Sequence, residues 1–156
     1  MDKIDPLNQV AEFHRTFKHP VLENPAIPSK DRCSLRVSLL SEEVAELQVA
    51  IENNDLIEIA DALCDIQYVL SGAVLEFGLG QKFKPLFDEV QRSNMSKACT
   101  TEEEAVETVA FYERQGTECY YTKVDDKFLV YRKGDNKTLK SINYSPVNLE
   151  AIISKS

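Results

Sequence analysis

The sequence predicts a mainly α-helical chain, a bundle of four to five helices with a small C-terminal β-hairpin. Apolar residues recur at helical spacing through Phe77, and helix start and stop residues bracket those runs. Alternation with a period of two begins only after Gly116. At 156 residues and 43% hydrophobic content, the chain has enough apolar material for one compact core. The reading assigns residues 1–116 to a helical domain and residues 117–156 to a hairpin and tail packed on it.

Asp5-Pro6 reads as N-cap and first helical residue, and Leu7, Val10 and Phe17 follow at helical spacing up to His19-Pro20. Pro20, Pro25 and Pro28 then impose an extended loop, because proline fixes φ and lacks a donor. Ser29 caps a second helix that runs to about Asn53. Asn53-Asn54-Asp55 is a turn, and Asp55 opens a long apolar helix that stops at Gly78. Ile59, Leu63, Ile66, Leu70 and Phe77 give that helix a second apolar face, which needs cover from the bundle or from another subunit. Pro85 near its start marks a fourth helix, Lys84 to Lys97. Thr100 and Thr101, each with a glutamate three residues on, cap a fifth that ends at Gly116. Residues 118–124 and 127–133 alternate around Asp125-Asp126 as a hairpin, and a tail from Leu139 contains Tyr144-Ser145-Pro146.

Within this frame, Glu43 and Glu46 fall on the apolar side of the second helix beside Leu39, Leu47 and Ala50. Glu58, Asp61 and Asp65 share an arc of about 60° on the third helix, beside Ile57, Tyr68 and Leu75, at about 100° per residue. Uncompensated buried charge costs several kcal/mol, so acids in a core call for a cation. Hard divalent ions such as Mg²⁺ or Mn²⁺ prefer oxygen ligands and pair with substrate phosphates. A zinc site has little support, since only His14 and His19 supply imidazoles and the four cysteines show no CxxC spacing. Those cysteines read as reduced, with Cys64 a small core residue.

A formal charge of −8 argues against nucleic-acid polymers and anionic membranes, which need a basic surface. No apolar run reaches the roughly 18 residues of a membrane span, and the start has no signal-peptide pattern, so the expected location is cytoplasmic.

The ordered set Arg36 to Leu47 with Glu43-x-x-Glu46, then Glu58-x-x-Asp61, then Arg92-Ser93-Asn94-Met95-Ser96-Lys97, resembles the all-α nucleoside triphosphate pyrophosphohydrolases. This is the MazG-like and phosphoribosyl-ATP pyrophosphohydrolase-like superfamily, and the resemblance covers about residues 7 to 98. It implies a bundle of the all-α NTP pyrophosphatase type, with residues 1–116 as the catalytic part. It also implies Mg²⁺-dependent hydrolysis of a (d)NTP to monophosphate and pyrophosphate, while the second apolar face of the third helix points to a homo-oligomer, dimer or tetramer. Carried over, it makes Glu43, Glu46, Glu58 and Asp61 metal ligands, with Asp65 an additional ligand or support. Glu42 becomes the candidate base, and Asn94 and Lys97 the phosphate contacts, with Arg36 a weaker candidate for the same role.

Plainer explanations compete. Asp55-x-x-Glu58 resembles a reciprocal cap, and Glu42, Glu43 and Glu46 could form a solvated face or pair with Arg32 and Arg36. Asn94 and Lys97 suit a helix end, while Tyr68, Phe17 and His14 at helical spacing read as core. The competing functions are phosphoribosyl-ATP hydrolysis, a nucleotide-binding regulatory module without turnover, and a purely structural helical dimer.

Overall fold

The computed structural model describes residues 4–154. The helices are α1 (Pro6–Thr16), α2 (Lys30–Glu52), α3 (Leu56–Glu76), α4 (Phe83–Met95), α5 (Glu102–Glu113) and a short α6 (Glu150–Ile153). A 3-10 turn, Gly80–Lys82, precedes α4. Strands β1 (Cys119–Val124) and β2 (Lys127–Arg132) pair antiparallel with Val124 opposite Lys127. The expected mainly helical fold with one C-terminal hairpin is therefore the observed one. No single helix among the described residues is long and apolar enough to cross a membrane.

The chain divides into two compact units between Phe83 and Lys84, not between residues 116 and 117. The reason lies in what α5 buries. Ala105 and the half-buried Val109 and Tyr112 pack with Cys99, Cys119, Val130 and Leu139 in one core, so this helix belongs with the hairpin. Helical spacing identified α5 but did not reveal which neighbour its apolar face would meet.

In the first unit, Val10 and Ala11 of α1 pack on Leu75 of α3, with Val21 at the edge. His14, also buried, donates from Nδ1 to the Pro20 carbonyl at 2.9 Å. Burial lowers its pKa, and Arg36 adds to this against the opposing Pro20 hydrogen bond. Asp5 caps α1 through Asn8, and the proline loop is tied to α3 by Leu22 N–H to Leu75 O at 3.0 Å.

Gly78 ends α3 at φ +66, in the left-handed region, and a Cβ there would stand 1.9 Å from the Asn24 carbonyl oxygen. Gly78→Ala combines backbone strain with a clash against main chain. It is expected to cost upwards of about 1 kcal/mol, measured as a lower midpoint in urea unfolding.

In the second unit, Thr101 Oγ1 accepts from Glu104 N at 3.1 Å, as the capping pattern predicts. The Glu104 carboxylate reaches Thr100 N–H at 2.8 Å instead of the cap residue, and also accepts from Ser141. Burial would raise the pKa of Glu104, but these hydrogen bonds outweigh it and lower it. Asp125, at φ 52, makes the hairpin turn.

Candidate active site

Arg32 and Arg36, at the start of α2, reach Glu76 at the end of α3, so the two helices run antiparallel. Glu43 then lies alongside the middle of α3. Its carboxyl is pushed above the ordinary range by burial first, then by repulsion from Asp65, Glu46, Glu42 and Asp61. Two helices thus bring these acidic side chains into one electrostatic neighbourhood.

The dry groove that the spacing predicts is not formed by the single chain. Glu43 and Asp65 are half-buried, whereas Glu42, Glu46, Glu58 and Asp61 are exposed. Ile57, expected beside the buried arc, is 80% exposed. Angular arithmetic puts a residue on a face, but cover depends on how far the neighbouring helix extends over that face. Cys64 is likewise exposed instead of core, and all four cysteines are free.

Among the described residues no three His, Cys, Asp or Glu side chains converge tightly enough to hold a metal ion. Nor does any Lys or Arg among them pair with Glu42, Glu43, Glu46, Glu58, Asp61 or Asp65. The donor chemistry still fits a hard divalent cation. It is all carboxylate oxygen, its repulsion is unrelieved, and the exposed members have rotamer freedom to converge. Glu42, Glu46 and Glu58 also border an open pocket of about 560 Å³ with Val49, Asn53 and Asp55. That volume is within the usual size of a small-molecule site.

The solvated face describes Glu42 and Glu46, both exposed, while two other plainer readings fail on specific atoms. Asp55 does cap α3, its Oδ1 accepting from Ile57 N at 3.0 Å and Glu58 N at 3.2 Å. The reciprocal half is absent, because Asp55 N–H is used on the Ala50 carbonyl at 3.0 Å. The Glu58 side chain is therefore not explained by capping. Arg32 and Arg36 are both committed to Glu76, so they do not neutralise the glutamates of α2.

That commitment also corrects the reading of Arg36 as a phosphate contact. The residue is buried, 8% exposed, with its guanidinium on Glu76. It shares that single carboxylate with Arg32, and its burial holds it away from any substrate. Asn94 and Lys97 lie in the second unit, joined by Lys97 Nζ donating to Asn94 Oδ1 at 2.8 Å. His14 is buried as expected, but Phe17 and Tyr68 are not core residues, being 60% and 39% exposed. Phe13 packs on both, 4.4 Å from the ring of Phe17 and 5.7 Å edge-on from Tyr68, with His19 stacked at 5.9 Å.

The residue that sequence reasoning missed is Glu76, the partner of Arg32 and Arg36. A signal was present: Arg32 and Glu76 are equally distant from the turn between α2 and α3, as are Glu43 and Asp65. Residues equidistant from the turn of an antiparallel helix pair stand level with each other.

A family model described as phosphoribosyl-ATP pyrophosphohydrolase matches residues 10–94, which take in both acidic motifs and end at Asn94. A protein named as uncharacterized from Acanthamoeba polyphaga mimivirus is 26% identical, over 97% of this chain and 97% of its own length. With its acidic motifs carried on antiparallel helices inside the matched span, the chain belongs to the phosphoribosyl-ATP pyrophosphohydrolase family, within the all-α nucleoside triphosphate pyrophosphohydrolases, hydrolases that act on nucleotide substrates.

Proposed function

We propose that the chain hydrolyses a nucleoside triphosphate to its monophosphate and pyrophosphate with Mg²⁺ or Mn²⁺, clearing (d)NTPs from the cytoplasmic pool. The observation that carries this reading is the group of carboxylates brought together by two antiparallel helices inside the family-matched span, where burial first and then the neighbouring acids push Glu43 up. Repulsion of that kind is tolerated where a cation is expected to bind.

Glu43, Glu46, Glu58 and Asp61 would hold the ion, with Asp65 beside them as a further ligand or support. Once bound, a divalent cation supplies a lowered water pKa and charge opposite the leaving pyrophosphate. Glu42, next to the ligand pair and bordering the pocket, takes the proton from water as the α–β phosphoanhydride is cleaved. Within the second unit, Asn94 and Lys97, already bonded to each other, are the residues this proposal reserves for phosphate.

A homo-oligomer is part of the same reading, either dimer or tetramer. Val37, Val44 and Ile51 recur every seven residues on α2, as do Leu56, Leu63 and Leu70 on α3, and all are exposed. Stripes of this kind are the seams by which helices pair, and a second copy would cover them. No nucleic-acid polymer or membrane enters the proposal.

The assay is pyrophosphate release across common and damaged nucleotides, with Mg²⁺, Mn²⁺ and chelator. The family match favours one second reading, hydrolysis of phosphoribosyl-ATP, and that compound belongs in the panel. Binding without release from any compound would make the chain a regulatory module. Neither binding nor release would leave a structural one.

Tyr68 stands on the same side of α3 as Asp61, about 10 Å further along at 1.5 Å per residue, and its exposed ring cluster suits a nucleobase. Tyr68→Ala is expected to raise KM for a nucleoside triphosphate by about tenfold, stacking being worth about 1–3 kcal/mol. Hydrolysis of inorganic tripolyphosphate, which has no base, should not change.

A further inference from the structure

We infer that residues 141–148 clamp the end of α4, and that Ser96, with the Glu89–Arg92 pair, positions Asn94 and Lys97 for the phosphates. The inference rests on the reading that Asn94 and Lys97 touch the substrate. All of its geometry lies inside the second unit.

Glu89, Arg92, Ser93 and Ser96 follow one another at i, i+3, i+4 and i+7, a single stripe along α4 and just past its end. Each of them bonds the C-terminal segment. Asn148 N–H donates to Glu89 Oε1 at 2.9 Å. Arg92 donates to Ser145 Oγ at 2.9 Å and to the Pro146 carbonyl at 3.0 Å. Ser93 Oγ and the Tyr144 hydroxyl are 2.9 Å apart, and Ser145 N–H donates to Ser96 Oγ at 2.9 Å. Ser96 Oγ in turn donates to the Ser93 carbonyl at 2.8 Å, so one hydroxyl joins the segment to the last turn of the helix.

Asn94 is about 140° around the helix from Glu89 at 100° per residue, away from this stripe, and its side chain is exposed. The clamp grips one side and leaves the other to the substrate.

The need for a clamp follows from helix physics. Regular α4 ends at Met95, and the last carbonyls of a helix have no partner within it, so this end frays when unsupported. Lys97 lies beyond that end. Its backbone carbonyl is bound by Ser141 N–H at 3.2 Å. The segment is itself anchored on α5, where Tyr112 OH accepts from Lys140 N at 3.2 Å and Thr108 Oγ1 from Ile142 N at 3.2 Å. The buried Glu104 accepts from the Ser141 hydroxyl. The segment therefore ties Asn94 and Lys97 to the core of Cys99, Ala105, Cys119 and Val130. Small misplacements of a binding group are costly, since positioning carries much of an enzyme's effect.

The test uses the full chain in steady-state pyrophosphate release with the nucleoside triphosphate that serves as substrate. Ser96→Ala and Tyr144→Phe, measured separately, should each raise KM about fivefold, the cost of one hydrogen bond, with kcat unchanged within about twofold. Ser96→Thr keeps the hydroxyl and should restore KM. In a mutant cycle, Ser96→Ala added to the Asn94→Ala/Lys97→Ala double variant should raise KM no further than that double variant alone. If Lys97→Ala raises KM and neither clamp variant does, or their effects multiply, the clamp is overturned while the substrate contact stands. If Asn94→Ala and Lys97→Ala both leave KM unchanged, the contact itself falls and the inference falls with it.

Discussion

Glu46→Gln and Asp61→Asn are each expected to reduce pyrophosphate release by about a thousandfold or more, since one missing ligand loosens the ion that both water activation and leaving-group charge depend on. Each substitution keeps the side chain's shape and one acceptor oxygen while removing its charge. Glu43 is already pushed above the ordinary carboxyl range by its own burial and by Asp65, Glu46, Glu42 and Asp61, so deleting a neighbouring charge relieves repulsion. Thermal unfolding in chelator should therefore occur at the wild-type temperature or above it. Adding Mg²⁺ should raise the unfolding temperature of the wild type and leave both variants nearly unmoved, because ligand stabilisation follows affinity. Wild-type turnover by either variant would remove these carboxylates from the metal site.

Glu76→Gln should give the largest loss of stability. The side chain is 1% exposed and bonds Arg32 Nε at 3.1 Å, as well as the terminal nitrogens of Arg32 and Arg36. Removing one partner of a buried ion pair costs about 3–5 kcal/mol, because the charge left behind has lost its match. Gln keeps part of the hydrogen bonding but none of the attraction. The stability also depends on pH. Burial alone would raise the pKa of Glu76, but the hydrogen bonds and charges of Arg36 and Arg32 prevail and hold it below its ordinary value. A depressed carboxyl stabilises the fold fully above its unfolded pKa of about 4.3. That contribution declines as pH falls through the folded value. In urea unfolding, the gap between the wild-type and Glu76→Gln midpoints should thus be constant above about pH 5 and narrow below it. Equal midpoints for the two proteins at pH 7 would contradict this account of the triad.

Much of this was legible from local chemistry. Asp5-Pro6, Asp55, Gly78 and Thr101 set helix ends where expected, since capping depends on residues only three or four positions apart. The hairpin turn at Asp125-Asp126 was legible for the same reason. The acidic motifs were visible as well, because four carboxylates at i, i+3 spacing are a pattern in one dimension.

Other conclusions required the structure. Spacing put Glu46, Glu58 and Asp61 on an apolar side but overestimated how far that side is covered, and it placed Phe17 and Tyr68 in the core for the same reason. Arg36 looked available for phosphate until Glu76, forty residues away in the chain, was found to bind it. Arg92 and Ser93 had no role assigned from the sequence, and the structure shows the tail bonding both.

The sequence by itself determined helices α1 to α5, though not the short α6, as well as the hairpin, the two acidic motifs and the family, because propensity, capping and residue identity act over a few positions or on composition. Only the tertiary structure decided which charges are already paired, which rings are exposed and where the chain divides. Those properties depend on contacts between residues far apart along the chain, and their energies depend on solvent exclusion by neighbours that no local pattern specifies.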